Sequence, residues 1–173
     1  MTEEQPYTVT KQYDGFEVRH YPDYVLVQVA VTGDFMRAGN VAFGPLVSYI
    51  SGNNVRGQKI AMTAPVIQET TNERSHTVSF VLPAGMDIAD VPVPKNAQVS
   101  VRHVPAHDAA AMKFGGGWNA ERFETNGEQL VQKARQAGLQ TVGNVYFARF
   151  DPPWKPWFLK RNEVLIALGA TEG

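Results

Sequence analysis

The stretch Val18-Arg19-His20-Tyr21-Pro22 recurs as Val101-Arg102-His103-Val104-Pro105, an offset of 83 positions. The same offset places Phe16 on Val99 and the first predicted helix on the second. A match over five positions, four of them identical, has little weight alone, but here the order of the predicted elements agrees at the same offset. The chain is therefore predicted to contain an internal duplication.

The duplication predicts an α+β fold made of two ββαββ-like halves that are related by a pseudo-two-fold axis. The halves cover roughly residues 16–83 and 99–168 within one domain of residues 1–173. Their strands are expected to join in one curved sheet or distorted antiparallel β-barrel, with the two helices outside. A cleft between such related halves is a natural ligand site.

Hydrophobic periodicity predicts the elements of each half. Runs that alternate apolar and polar residues indicate strands, and apolar residues three and four positions apart indicate helices. Asp14-Gly15 between the first two runs is typical of a hairpin turn. The predicted strands are 7–12, 16–21, 24–32, 59–68, 76–82, 99–104, 109–114, 142–150 and 163–168. The predicted helices are 34–50, with a kink or restart at Pro45, and 119–137, capped by Gly138.

Composition excludes several classes of protein. The chain has 173 residues, 43% of them hydrophobic and 19% charged, which is typical of one folded domain rather than a disordered chain. The formal net charge of −1 argues against nucleic acid as a partner. The absence of cysteine excludes disulfide scaffolds, cysteine zinc sites, iron–sulfur clusters and cysteine nucleophiles.

Two features bear on location. The longest charge-free stretch, between Arg37 and Arg56, contains too many Gly, Pro, Ser and Asn residues to span a bilayer. Residues 1–6 are acidic and polar, whereas a secretory signal begins with basic residues and an apolar run. We therefore expect a cytoplasmic protein without a membrane partner.

Four segments resemble those of a known family, the SOUL or haem-binding protein family. They are residues 16–21 (FEVRHY), 59–66 (KIAMTAPV), 151–157 (DPPWKPW) and 161–164 (RNEV), in the order in which the family has them. The resemblance covers nearly all of residues 7–168. It implies a distorted barrel built from a duplicated unit, similar to bacterial effector-binding domains of the gyrase-inhibitor type. It also implies binding of haem or related tetrapyrroles, without a known catalytic reaction for most members.

The resemblance makes His20 the candidate axial ligand of haem iron. A neutral imidazole whose other nitrogen is held by a hydrogen bond is a strong iron ligand. The alternative is a half-buried histidine packed at a sheet edge, because His20 shares strand parity with Phe16 and Val18.

Met62 and Lys155 are the other candidate binding residues, since both lie in segments that match the family. A thioether packs well on a flat aromatic macrocycle, and an ammonium group pairs with a propionate. The alternatives are core filling for Met62 and a solvated charge for Lys155.

The segment 151–157 contains three prolines and two tryptophans, so it predicts a rigid loop that cannot continue a strand. Trp154 and Trp157 would form a binding platform if exposed and would plug one end of the barrel if buried. We favour the structural role.

Three other patterns in the sequence give weaker evidence for a functional site. His103 and His107 have the spacing of two metal ligands on a helix, but Pro105 between them argues against that helix and a zinc site. Gly115-Gly116-Gly117 lacks the Lys-Ser or Lys-Thr of a phosphate-binding loop. His76 is expected to be a solvated residue at a strand end.

The first function predicted is a carrier or buffer of haem or porphyrin that is not an enzyme. An alternative is an effector-binding module for other flat apolar ligands or for a protein partner. A third is a hydrolase of small ligands, which needs a carboxylate in the cleft, from Glu163 or Glu17.

Overall fold

The computed structural model describes residues 3–72, 74–115, 119–151, 156 and 160–169. The chain divides into two compact units: unit 1 comprises Met1–Gln5 and Asp23–Pro105, and unit 2 comprises Pro6–Pro22 and Ala106–Gly173. In chain order the elements are β1 (Glu3–Glu4), β2 (Thr8–Tyr13), β3 (Phe16–Tyr21), β4 (Tyr24–Thr32), α1 (Phe35–Ile50), β5 (Thr63–Ala64), β6 (Val66–Asn72), β7 (Ser75–Val81), a short 3₁₀ helix (Ile88–Asp90), β8 (Val99–Val104), β9 (His107–Gly115), α2 (Ala120–Gln136), β10 (Thr141–Arg149) and β11 (Arg161–Leu168).

Unit 1 is an antiparallel sheet with one helix packed on it. The strand order is β6-β7-β4-β8, and β1 pairs with β5 as a separate parallel pair. Val25, Val27 and Val29 of β4 lie on one face of the sheet and pack with Leu46 and Tyr49 of α1. Alternation along β4 and helical spacing along α1 therefore build one core.

Helix α1 begins where the sequence predicts it. The carboxylate of Asp34 accepts a hydrogen bond from the backbone N–H of Arg37 at 2.8 Å, which satisfies one free donor of the first turn. The helix continues through Pro45 as a single element instead of restarting there.

Unit 2 has the same plan, with β2-β3-β9-β11-β10 as its antiparallel sheet and α2 packed on it. Phe123 of α2 contacts Phe114 of β9 and Phe147 of β10, with ring centroids 5.3 Å and 5.0 Å away. The strand register places Ala110 and Val18 on this same face of the sheet.

Side chains alternate between the two faces of a sheet, so the strand residues next to Val18 and Ala110 lie on the face opposite α2. Arg19 lies beside Ala109 and Glu17 beside Ala111, while Glu163 of β11 lies beside Lys113. This face turns away from α2 and is called the polar face below.

The fold class predicted, α+β with antiparallel strands and two helices, is confirmed. The strands β3, β4 and β8 have the predicted ends. The predicted strand 59–68 is wrong: it starts only at Thr63 and is interrupted at Pro65, since proline has no N–H for a strand ladder.

The prediction for His76 is also wrong. The side chain is buried, with 3% exposure, because β7 lies between β4 and β6 and His76 is paired on both sides. Its Nδ1 lies 3.1 Å from Thr70 Oγ1 and its Nε2 lies 3.0 Å from the carbonyl oxygen of Gly33. Both ring nitrogens thus have partners in place of water.

The strand pairs follow the pattern that a duplication requires. The order β6-β7-β4-β8 in unit 1 matches β10-β11-β9-β3 in unit 2, so β3 pairs with β9 where β8 pairs with β4. The sheet of unit 1 thus takes β8 from the second half of the sequence, and the sheet of unit 2 takes β3, together with β2, from the first part of the chain. The single domain and the two-fold superposition of the halves stay predictions.

Candidate functional site

His20 lies near the end of β3, directly opposite Asp108 of β9. Its Nδ1 is 2.8 Å from Asp108 Oδ1, and the side chains are 48% and 52% exposed. A carboxylate accepts a hydrogen bond from an Nδ1–H, which leaves the lone pair of the imidazole on Nε2. The pair therefore orients a histidine whose remaining nitrogen can ligate a metal.

His103, the positional equivalent of His20 in the sequence repeat, also has a carboxylate partner. Its Nε2 lies 3.1 Å from Asp23 Oδ2, and its side chain is 41% exposed. Here the hydrogen bond uses the other ring nitrogen, so Nδ1, which sits next to the backbone, is left as the acceptor. The two histidines are similar in exposure and differ in the nitrogen that they offer.

Met62 precedes β5 and is 38% exposed, so its thioether is accessible on unit 1. His20 belongs to unit 2. Lys155, Trp154 and Trp157 lie outside the described residues, and the predictions made for them stay predictions.

Sequence reasoning missed a cluster of buried polar side chains on the polar face of unit 2. Arg19, with 0% exposure, donates from Nη1 and Nη2 to the two carboxylate oxygens of Glu163 at 2.8 Å and 2.7 Å. It also donates from Nε to Glu17 at 3.1 Å and from Nη1 to the hydroxyl of Tyr21 at 2.9 Å. The ring of Tyr7 lies 4.0 Å from the guanidinium carbon. We call these five residues the arginine cage.

The electrostatics of the cage keep Arg19 cationic and Tyr21 neutral. Burial acts to lower the pKa of Arg19, but the hydrogen bond to Glu163 and the charge of that carboxylate act against it, and the pKa is raised. Burial has the opposite effect on Tyr21: it raises the pKa of the phenol, although the nearby Arg19 acts to lower it. The cage is therefore an ion pair closed by a neutral phenol and an aromatic ring.

This geometry bears on the hydrolase alternative. Both nominated carboxylates, Glu163 and Glu17, are hydrogen-bonded to Arg19, so neither is a bare base beside an open cleft. Within the described ranges, His, Asp and Glu side chains do not gather in threes that could hold a metal ion.

Among the residues that the structure describes, neither helix has the length and apolar character needed to cross a bilayer.

Comparisons with known proteins agree with the resemblance. The sequence profile of the family described as SOUL heme-binding protein matches residues 2–167. Heme-binding protein 2 of Homo sapiens is 29% identical over 170 residues, which cover 88% of this chain and 81% of that protein. Heme-binding protein 1 of Xenopus tropicalis is 24% identical over 162 residues, covering 86% and 85%.

Among solved structures, the C-terminal domain of EcmrR is similar in fold. It superposes with a TM-score of 0.67 at 13% identity and covers 95% of this chain and 99% of that domain. At this identity the likeness concerns the fold alone.

Proposed function

The chain belongs to the SOUL heme-binding protein family, and from that membership we propose that it binds haem or a related tetrapyrrole as a carrier or buffer and not as an enzyme. The relatives described above are named for haem binding. One observation supports particular residues: His20 Nδ1 lies 2.8 Å from Asp108 Oδ1 on an exposed part of unit 2.

The donor chemistry of this site fits a haem iron. In the tautomer in which Nδ1–H donates to Asp108, the ring is held in place and Nε2 is the nitrogen with a free lone pair. A haem bound here would supply an iron, and Nε2 of His20 would be the nitrogen donor that the protein offers to it. In the proposal His20 would ligate the iron and Asp108 would orient His20. Met62 and Lys155 stay the other proposed binding residues, a thioether for a flat macrocycle and an ammonium group for a propionate.

Absorbance titration with hemin, beside iron-free protoporphyrin, tests the proposal. We expect a shifted Soret band with hemin and tighter binding of hemin than of protoporphyrin, because only hemin offers an iron to His20. Equal affinities would show that no side chain ligates the iron. Binding of neither would favour the effector-binding alternative, with a different flat ligand or a protein partner.

The chain supplies a matched control for the histidine. His20→Ala is expected to weaken hemin binding about tenfold or more, the loss of one good ligand, and to leave protoporphyrin binding unchanged. His103→Ala removes an equally exposed histidine with its own carboxylate and is expected to behave as the parent chain. If the two variants bind hemin alike, His20 is not the ligand.

Asp108→Asn tests the orienting role separately. The amide cannot accept the Nδ1–H as a charged partner, so hemin affinity should fall less than in His20→Ala. Asp23→Asn, the corresponding change beside His103, is the control and should leave hemin affinity unchanged.

A further inference from the structure

The arginine cage has the composition of a binding site for a planar organic cation. We propose that the polar face of unit 2 is such a site, and that the chain fills it with its own Arg19. Arg19 is then the residue that excludes guanidinium-like and amidinium-like ligands from this protein. The proposal is independent of haem binding, because His20 and Asp108 lie on the other face of the sheet.

Shape is the first argument. The guanidinium plane meets both oxygens of Glu163 at 2.7 Å and 2.8 Å, which is the bidentate fork that recognises guanidinium and amidinium groups. Tyr7 covers the cation at 4.0 Å, as aromatic rings do in cation sites. Four hydrogen bonds leave from the group, so it is recognised as a planar cation and not merely stored in the core.

Charge is the second argument. Two carboxylates, Glu163 and Glu17, surround a single guanidinium, so the cage carries an excess of negative charge. Glu163 is fully buried, with 0% exposure. Without Arg19 this carboxylate would lose the donor to both of its oxygens, which is strongly unfavourable in a buried position, and Lys113 beside it in the register is exposed. A cation that enters from solution would relieve this penalty.

Space is the third argument. The strand register sets Ala109 beside Arg19 and Ala111 beside Glu17 on the polar face. Both alanines are buried, and their methyl groups extend only a short way above the sheet. Shortening Arg19 to Ala therefore leaves small methyl groups at positions 19, 109 and 111, beside Leu165, which lies opposite Ala111 on the same face.

The test uses Arg19→Ala and methylguanidinium, which replaces the lost group while leaving room for the new Cβ. Thermal unfolding is followed by circular dichroism at constant ionic strength. The midpoint of Arg19→Ala should rise by about 3–5 °C for each tenfold increase above the dissociation constant. The parent chain should show no rise, because Arg19 already fills the cage.

Three controls separate cage binding from general salt effects. Methylurea has the same shape without charge, and tetramethylammonium has charge without a plane, so neither should protect Arg19→Ala. The double variant Arg19→Ala/Glu163→Gln lacks the fork and should lose the protection. Arg37→Ala removes an exposed arginine on α1 and should not acquire it.

The test also works if Arg19→Ala is unfolded in the absence of methylguanidinium. A ligand that binds only the folded state shifts the folding equilibrium, so methylguanidinium should then restore the folded spectrum. The proposal is overturned if methylguanidinium neither raises the midpoint nor restores folding. Equal protection by tetramethylammonium, or undiminished protection of the double variant, would also overturn it.

Discussion

Glu163→Gln should destabilise the protein strongly, because it breaks a buried ion pair while leaving the arginine in place. Glu163 accepts two charge-assisted hydrogen bonds from Arg19, and both residues have 0% exposure. In the glutamine variant one acceptor oxygen becomes an NH₂ group that faces an arginine N–H. Removing one partner of a buried pair costs about 3–5 kcal/mol. Arg19 retains Glu17 at 3.1 Å, so we expect the lower end, about 3 kcal/mol.

Urea unfolding measures this loss. With an m-value of about 2 kcal/mol per M, a loss of about 3 kcal/mol lowers the urea midpoint by about 1.5 M. The melting temperature should fall by about 6–12 °C. Urea is preferred to guanidinium chloride because urea is uncharged, whereas guanidinium chloride is a salt that screens charge interactions.

Two further variants make the reasoning refutable. Arg19→Met/Glu17→Gln/Glu163→Leu removes all three charges of the arginine cage together and should lie within about 1 kcal/mol of the parent chain or above it. Asp23→Asn removes one member of an exposed pair and should change the unfolding free energy by less than about 0.5 kcal/mol. If Glu163→Gln has the same midpoint as Asp23→Asn, the ion pair does not stabilise the folded chain.

Three other changes have defined outcomes. Trp154→Ala or Trp157→Ala should lower the unfolding free energy by about 3–5 kcal/mol if that ring is buried, as measured in urea; an unchanged melting temperature with lost haem binding would make the loop a recognition surface. Burial raises the pKa of Tyr24 to about 12, so stability should be full below pH 10 and decline towards pH 12, by up to about 1.4 kcal/mol per pH unit. Tyr24→Phe should reduce this decline, and an unaltered pH profile would contradict the assignment. Gly127→Ala should not gain the ~1 kcal/mol usual in a helix, because the new Cβ would lie 3.2 Å from Val145; a full gain in urea would show that Val145 yields freely.

Local patterns predicted the strands that are bounded by turn residues. Strands β3 and β4 are delimited by Gly15, Pro22 and Gly33, so alternation and chain-breaking residues indicate the same ends. Ser75–Val81 was predicted one residue late at each end, where turn signals are weaker. The interruption at Pro65 was missed because the apolar residues on both sides form one continuous run.

Alternation and chain-breaking residues could not predict the arginine cage. Phe16 and Val18 are buried on the α2 face, so alternation assigns Arg19 to the opposite, solvent-facing side. The residue that pairs with both Nη atoms of Arg19 is Glu163, 144 positions away in the chain. No local window contains both partners, and a buried charge is predictable only when its partner is known.

The exchange of strands between the sequence halves affects how the chain folds during synthesis. The segment Pro6–Pro22 carries β2 and β3, yet their sheet is completed by strands that follow Ala106. Translation adds about 5–20 residues per second, so β3 waits for several seconds while Asp23–Pro105 is made. Glu17 and Arg19 interrupt the apolar run of the waiting strand and thereby act as gatekeepers against pairing with another nascent chain. Arg19, which pairs with Glu163 in the folded chain, is thus expected to serve the strand earlier as well, before its own sheet exists.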